Sequence, residues 1–416
     1  MKIMMTATTY SWGLLATFTV CTTLQAQDWT RFRGPNGAGH SDATTIPVTW
    51  AEKDYNWKVA LPGSGHSSPV LWGDKIFVTS SMGPGGGMIL LCLDAKDGTQ
   101  LWRRDLAFPP VTLHRFNSFA SASAAVDKDR VYVSWTAPES YTVTALDHAG
   151  ETVWERDLGP FKSQHGGGVS PMLYENMVIV PNEQLGPSSI LALDTATGRT
   201  IWQTPRNNVL TAYSTPCVFQ PAEGEPQLIF NSRAHGIYGV DPKTGTVLWE
   251  YEAAFDKRSV SSPVLASGVI IGSCGSGAGG NYVVAVKPPA SPGQKPELAY
   301  EVRRSAPYVP TSVAVGDLLY LWSDGGIVTC IHAPTGEERW RERVGGDFFG
   351  SPICVGNRIY CISTTGEVVV LEAGDSFKVL GRNPLNELSH ATPAVSNGRM
   401  YLRTEKHLIS LGGRSS

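Results

Sequence analysis

One phrase recurs along the chain and restricts the folds open to it. It reads Leu93-Asp-Ala-Lys-Asp-Gly-Thr-Gln-Leu-Trp102, then Leu193-Asp-Thr-Ala-Thr-Gly-Arg-Thr-Ile-Trp202, then Val240-Asp-Pro-Lys-Thr-Gly-Thr-Val-Leu-Trp249. Ile331-His-Ala-Pro-Thr-Gly-Glu-Glu-Arg-Trp340 repeats it, and Leu146-Asp-His-Ala-Gly-Glu-Thr-Val-Trp154 is one residue shorter. An apolar strand ends at Asp, whose side chain can bond nearby backbone N–H groups. Gly supplies the positive φ of a turn, and a second strand then begins and carries Trp. A second phrase precedes it in each unit: Ser-Ser-Pro69, Val-Ser-Pro171, Ser-Ser-Pro263, Gly-Ser-Pro352 and Ala-Thr-Pro393, each leading to a largely apolar strand. Proline suits a strand start, where its missing N–H costs least. Each unit is therefore four short strands, A to D, as in a propeller blade.

Counting the strand-D anchors gives the blade number. They fall at Trp57, Trp102, Trp154, Trp202, Trp249, Tyr300, Trp340 and a degenerate Leu380, 40 to 52 residues apart. After Leu380 there is room for three strands only, while one orphan strand, Asn56-Trp-Lys-Val-Ala-Leu61, precedes the first full unit. That orphan can supply strand D of the last blade and close the ring without an open edge. The expected fold is all-β: an eight-bladed propeller of four-stranded antiparallel blades over 56–412, with seven blades as the alternative if the unit ending at Leu380 is peripheral. The 44 Gly and 28 Pro are then mostly turn supply.

Composition excludes other classes. Lys and Arg number 34 against 37 Asp and Glu, a net charge of −3, which argues against a nucleic-acid binder, since that would need a basic face to neutralise phosphates. Residues 1–26 read as a secretory signal: Lys2, then a largely apolar run from Trp12 to Leu24, then Gln25-Ala26-Gln27. The run is too short for a membrane span of about 20 residues. Phe18-Thr-Val-Cys21 lacks the small residue that precedes a lipidated cysteine. The mature protein is expected to be periplasmic or secreted, with 27–55 as a leader. Six cysteines remain, scattered at strand positions and read as buried thiols, with Cys354 and Cys361 the one pair able to meet diagonally across a hairpin.

The Asp-x-x-Thr-Gly-x-x-x-Trp phrase resembles the tryptophan-docking motif of the pyrroloquinoline-quinone (PQQ) propeller superfamily, over about residues 28 to 412. The leader Trp29-Thr-Arg-Phe-Arg-Gly-Pro-Asn-Gly37 is similar to one carried by exported PQQ-like repeat propellers. The resemblance implies the fold. For activity it implies either a quinoprotein dehydrogenase or a non-catalytic propeller such as the BamB-like factors of outer-membrane β-barrel assembly. In the dehydrogenases PQQ is held with Ca²⁺ by a Glu/Asn/Asp set with an Asp base, often beside a vicinal disulfide; this chain has no vicinal cysteines, and no residue matches the base.

In such a ring the D–A and B–C loops share one face, and residues just before strand A line the axis. Aligned on the Ser-Pro phrase, these are His66, Ser121, Gly168, Tyr213, Val260, Pro310, Phe349 and His390. The D–A loops add His114, Arg115, His165, Arg206, Arg258, Tyr308 and Asp347; the B–C turns add Asn182, Glu183, Asn231, Arg233 and Asp324. This mouth is richer in His, Arg and aromatics than in carboxylates, which suits a polar, anionic or planar ligand. His66, His165 and His390 are read as structural rather than as a metal site. The glycine runs 83–87 and 275–280 lack the helix and Lys-Ser/Thr of a phosphate loop and read as B–C loops. The expectation is an exported, non-catalytic scaffold that binds a partner protein or small ligand at this face. The alternative is a PQQ- and Ca²⁺-dependent alcohol or sugar dehydrogenase, and a sugar-binding module is a third.

Overall fold

The Asp-to-Trp phrase folds as the turn between strands C and D. In blade 3, Asp194 accepts the Thr197 N–H (2.8 Å) and hydroxyl (2.7 Å) through one carboxylate oxygen, which fixes the turn. Gly198 follows at φ +68°, and a Cβ placed there would stand 2.7 Å from the ring of Trp154 in the preceding blade. Gly98, Gly150, Gly245 and Gly336 meet Trp57, Trp102, Trp202 and Tyr300 in the same way. Glycine and tryptophan share one phrase because at five of the eight junctions the anchor ring, Trp in four and Tyr in one, packs on the next blade's Gly.

The indole N–H then docks on that same turn. Trp57 donates to Ala95 O (3.2 Å), Trp102 to His148 O (2.9 Å), Trp154 to Thr195 O (2.9 Å) and Trp202 to Pro242 O (2.8 Å). Trp340 donates to Gly374 O (3.0 Å), and the Tyr300 hydroxyl reaches Ala333 O (2.6 Å). Two anchors differ for one reason. Trp249 bonds Gln227 of its own blade (2.7 Å), because the next blade joins its C and D strands through 288–296, without the phrase. Leu380 faces a blade whose C and D strands come from opposite ends of the chain, so no turn exists to receive an indole.

The computed structural model describes residues 28–83, 87–106, 117–291 and 293–413. They form eight antiparallel sheets, each ordered A-B-C-D from the inside outward. Blade 1 comprises Val70–Trp72, Lys75–Ser81, Met88–Asp94 and Gln100–Leu106. Blades 2 to 7 occupy 125–157, 172–206, 217–251, 264–302, 313–343 and 353–384. Blade 8 takes Ala394–Ser396, Arg399–Arg403 and His407–Gly412 from one end, and Tyr55–Ala60 from the other. The closing strand pairs Tyr55 with Leu411 and Ala60 with His407, so the ring closes as expected with the strand one residue earlier. The residues read as a secretory signal, together with Cys21, lie outside the described residues, as do His114, Arg115, Pro84, Gly85 and Gly86.

The B and C strands are buried nearly throughout, while the D strands are mostly exposed. The core is therefore a ring of interblade clusters rather than one centre, for example Phe77, Leu90 and Val133 between blades 1 and 2. All six described cysteines are free and buried, Cys354 and Cys361 included.

Candidate functional site

The axis is organised by the hydroxyl that opens each strand A. Ser68 N–H donates to Ser123 Oγ (2.8 Å), Ser123 to Ser170 (2.9 Å), Ser170 to Thr215 (3.3 Å) and Thr215 to Ser262 (3.1 Å). Ser262 N–H continues to Thr311 (3.0 Å), Thr311 to Ser351 (3.0 Å) and Ser351 to Thr392 (2.9 Å). Seven links thus belt the eight blades. At the seam between blades 8 and 1 the Ser68 hydroxyl is buried without a partner among the described residues. There Arg403 inserts instead, donating to the Ser67 carbonyl (2.9 Å), to the Ser67 hydroxyl and to Ser80 Oγ (3.2 Å). The sequence carried this signal: the hydroxyl stands in all eight blades, whereas proline follows it in six.

The leader closes the axis from the face of the A–B turns. Asp28 receives the Gly73 N–H (3.1 Å), Ser41 O the Gly356 N–H (2.9 Å), and Thr45 donates to Gly398 O (2.5 Å). Between these points the leader crosses the ring. Trp29 O and Thr30 O accept N–H groups of Leu71 and Val126, and Asn36 exchanges two bonds with Val218. His40–Ser41 adds a parallel fifth strand to the inner edge of blade 7. Arg33 is fully buried, and all five of its N–H donors meet carbonyls: Gly37 (3.1 Å) and Ala38 (3.3 Å) in the leader, Thr311 (2.8 Å) and Ser312 (2.8 Å) in blade 6, and Pro352 (3.1 Å) in blade 7. Burial lowers its pKa to about 9, so it remains a cation at neutral pH. Phe32, beside it, faces the axis.

The result is a cup of about 1010 Å³, open on the D–A and B–C loop face and floored by Phe32. Its wall is made by the residue two before each belt hydroxyl: His66, Ser121, Gly168, Tyr213, Val260, Val309, Phe349 and His390. In blade 6 this is Val309 and not Pro310, because the belt hydroxyl is Thr311 rather than Ser312, which shifts the alignment by one residue. His165, Arg258, Tyr308, Asp324 and Asp347 also face the cup, and so do Gly277 and Gly279 of the glycine-rich B–C loop. Lys257 holds that loop by its carbonyls, Gly279 (3.1 Å) and Gly280 (2.8 Å).

Five residues placed at the mouth by sequence do not line it: Asn182, Glu183, Arg206, Asn231 and Arg233. They sit on or beside strand B and D ends, one or more strand spacings of about 4.8 Å farther from the axis than strand A. Two of them, Glu183 and Arg206, join a buried network between blades 3 and 4, while Asn182 accepts from Gln184 (2.9 Å). Arg206 pairs with Glu250 (2.6 Å) and stacks 4.3 Å from the Tyr238 ring centroid, and Asn208 donates to Glu183 (3.1 Å). Burial raises the Glu183 pKa, against the opposing effects of Asn208 and Arg206. Arg233 instead donates to Asp256 O (3.0 Å).

Within the cup the sectors differ in chemistry. The His66 and His390 rings lie 4.6 Å apart, tilted by 35°, and Phe349 meets His390 edge-on at 4.9 Å. Burial, helped by His390 and Arg403, pushes His66 down to about 3, so it is neutral at pH 7. Opposite, Arg258 reaches from blade 5 to His165 (2.7 Å) and Gln164 in the loop before blade 3, passing 5.9 Å from the Tyr213 ring centroid. Asp324 receives the N–H groups of Tyr308 (2.7 Å) and Val309 (3.1 Å), one on each oxygen.

Calcium takes six to eight oxygen ligands. The cup's carboxylates are Asp324, already engaged by two N–H groups, and Asp347, and among the described residues no three His, Cys, Asp or Glu converge on a metal position. These residues do not fit a calcium–quinone set.

Fold, Trp-on-Gly docking and axial cup together define the class: an eight-bladed PQQ-like propeller. The chain belongs to the family described as outer membrane protein assembly factor BamB, whose model matches residues 48–134, 86–299 and 295–403. BamB from Moraxella catarrhalis superposes with a TM-score of 0.61 at 15% identity, over 90% of this chain and 99% of that one. The quinohemoprotein alcohol dehydrogenase of Comamonas testosteroni superposes with a TM-score of 0.65 at 14% identity, over 94% and 81%. A polyvinylalcohol dehydrogenase of a Pseudomonas species is 27% identical over 238 residues, 52% of this chain and 33% of its own length. The chain thus spans about a third or less of the curated relatives it matches. Among the described residues no helix is long and apolar enough to cross a membrane.

Proposed function

We propose that this protein is an exported, non-catalytic propeller scaffold that holds a small polar ligand or a segment of a partner protein at its open face. One observation carries the reading: a blind cup of about 1010 Å³, walled by all eight blades with histidine, tyrosine and one arginine, without a calcium-holding set among the described residues. A space of that size suits a small molecule or a few residues of chain. Met82, Leu185, Val209 and Leu388 support the partner alternative, because they stand on loops of the open face with 40 to 59% of their surface exposed. Membership of the BamB family supports the scaffold role, and the leading apolar segment of the sequence supports export.

A PQQ-dependent dehydrogenase is the second reading, favoured by similarity to the polyvinylalcohol dehydrogenase. Titrating the full chain with PQQ and Ca²⁺, with dye-linked oxidation of alcohols as readout, separates the two. Saturable quinone binding with turnover would overturn the scaffold reading; no binding at tens of micromolar would sink the dehydrogenase. Native mass spectrometry of the protein from its source supplies the positive test. A co-purifying species that is lost in Tyr213→Ala and Arg258→Ala is the expected result.

A further inference from the structure

We infer that the blind end of the cup is a subsite for a neutral polyhydroxylated ring, a pyranose or cyclitol, which lies on Phe32 and exchanges hydrogen bonds with the surrounding belt hydroxyls. The inference rests on the reading of the cup as a ligand site. Two independent features of the floor lead to it. Phe32 comes from the leader and not from a blade, and it gives the axis an aromatic surface against which the C–H face of a saturated ring can pack. Around it, Ser170, Thr215, Ser262, Thr311, Ser351 and Thr392 all line the cup.

Each of these six hydroxyls accepts one backbone N–H from the neighbouring blade. That bond engages one lone pair and leaves a second lone pair and the O–H. It also polarises the oxygen, which makes the O–H a better donor. The floor is consequently ringed by groups that both give and receive hydrogen bonds, the property that matches an alcohol. A carboxylate can only accept, and an ammonium can only donate. The formal charges of the cup do not favour a carboxylate instead: the Arg33 donors are all engaged by carbonyls, Arg258 donates to His165 and Gln164, both Asp324 oxygens already receive N–H groups, and Asp347 would repel an anion. A ring of ligand hydroxyls meets the belt without displacing any of these bonds.

The test uses the full chain, with myo-inositol and glucose as probes and benzoate as the anionic comparator. Saturation-transfer NMR reads which ligand protons touch protein, and calorimetric titration gives affinity. The expected result is saturable polyol binding with strongest transfer to the C–H protons of one ring face. Phe32→Ala should weaken it about tenfold, the equivalent of one good contact, while Phe32→Trp keeps it within about threefold. Thr311→Val, which removes a hydroxyl at constant shape, should weaken it several-fold. Should Phe32→Ala fail to fold, the Trp and Thr311→Val variants still decide the matter. Benzoate binding without polyol binding overturns the polyol assignment and leaves the cup reading standing. Binding of none of the three overturns the subsite and leaves the cup reading to the co-purification test, and polyol affinity indifferent to Phe32→Ala and Thr311→Val overturns the subsite.

Discussion

Arg33 offers a demanding test of how the leader holds the ring. Its five donors meet five carbonyls, three of them on blades 6 and 7. Hydrogen bonds to a charged group contribute about 1.5–3 kcal/mol each, against several kcal/mol for desolvating the guanidinium. Arg33→Met keeps most of the volume, relieves the desolvation and strands five carbonyls, of which the three on blades 6 and 7 are buried. The net cost should resemble that of breaking a buried pair, about 3–5 kcal/mol. Arg33→Lys keeps the charge but offers three donors in place of five, so it should fall between wild type and Met. Urea unfolding followed by tryptophan fluorescence measures both, with a lower midpoint and an unchanged slope as the signature of a pure stability effect. A Met variant within about 1 kcal/mol of wild type, or a Lys variant no better than Met, would refute the idea that this cage staples leader to ring.

Other expectations follow from the same geometry. Gly198→Ala forces a Cβ toward Trp154 at a backbone φ of +68° and should cost about 1–3 kcal/mol in chemical denaturation. His66 sits at about 3 in the folded state against 6.5 when exposed, so between those values the unfolded chain binds the extra proton. Stability should therefore fall as pH drops below 6.5, by up to about 1.4 kcal/mol per unit. Denaturation curves at about pH 7.5 and 5, on either side of that value, should show a shallower fall for His66→Phe. Burial pushes Cys92, Cys217, Cys330 and Cys354 up to about 12, so all should resist a thiol reagent until urea unfolds the chain, and then react together.

The blades were legible because their determinants are local. Asp, Gly and Trp lie within ten residues of one another, and the turn they form is the unit that repeats. The degenerate Leu380, which left a seven-bladed ring open in the sequence, belongs to blade 7 and faces the blade whose outer strand arrives from the opposite end of the chain. The axis was harder to read. His66, Tyr213 and His390 were placed on it by alignment alone, and Val309 was missed by one residue because blade 6 lacks the proline that marked the register. Asn182, Glu183 and Arg206 look like ligand residues in a sequence, but strand spacing sets them behind the wall. Nothing local in Trp29 to Gly37 says that it crosses the ring, because every partner that makes it do so is far away in sequence, Pro352 and Val218 among them.

That separation has a kinetic consequence. Lys58 pairs with Ile409, and Arg33 needs blades 6 and 7, so neither the closing strand nor Arg33 finds its partners until nearly the whole chain is available, although Trp29 and Thr30 can meet blades 1 and 2 early. During that interval Tyr55–Ala60 is an unpaired edge and Arg33 has no cage. Such distant pairings slow folding and leave edges open to intermolecular pairing. The contacts that make the finished ring blind at one end also make it a protein that must complete itself last to first.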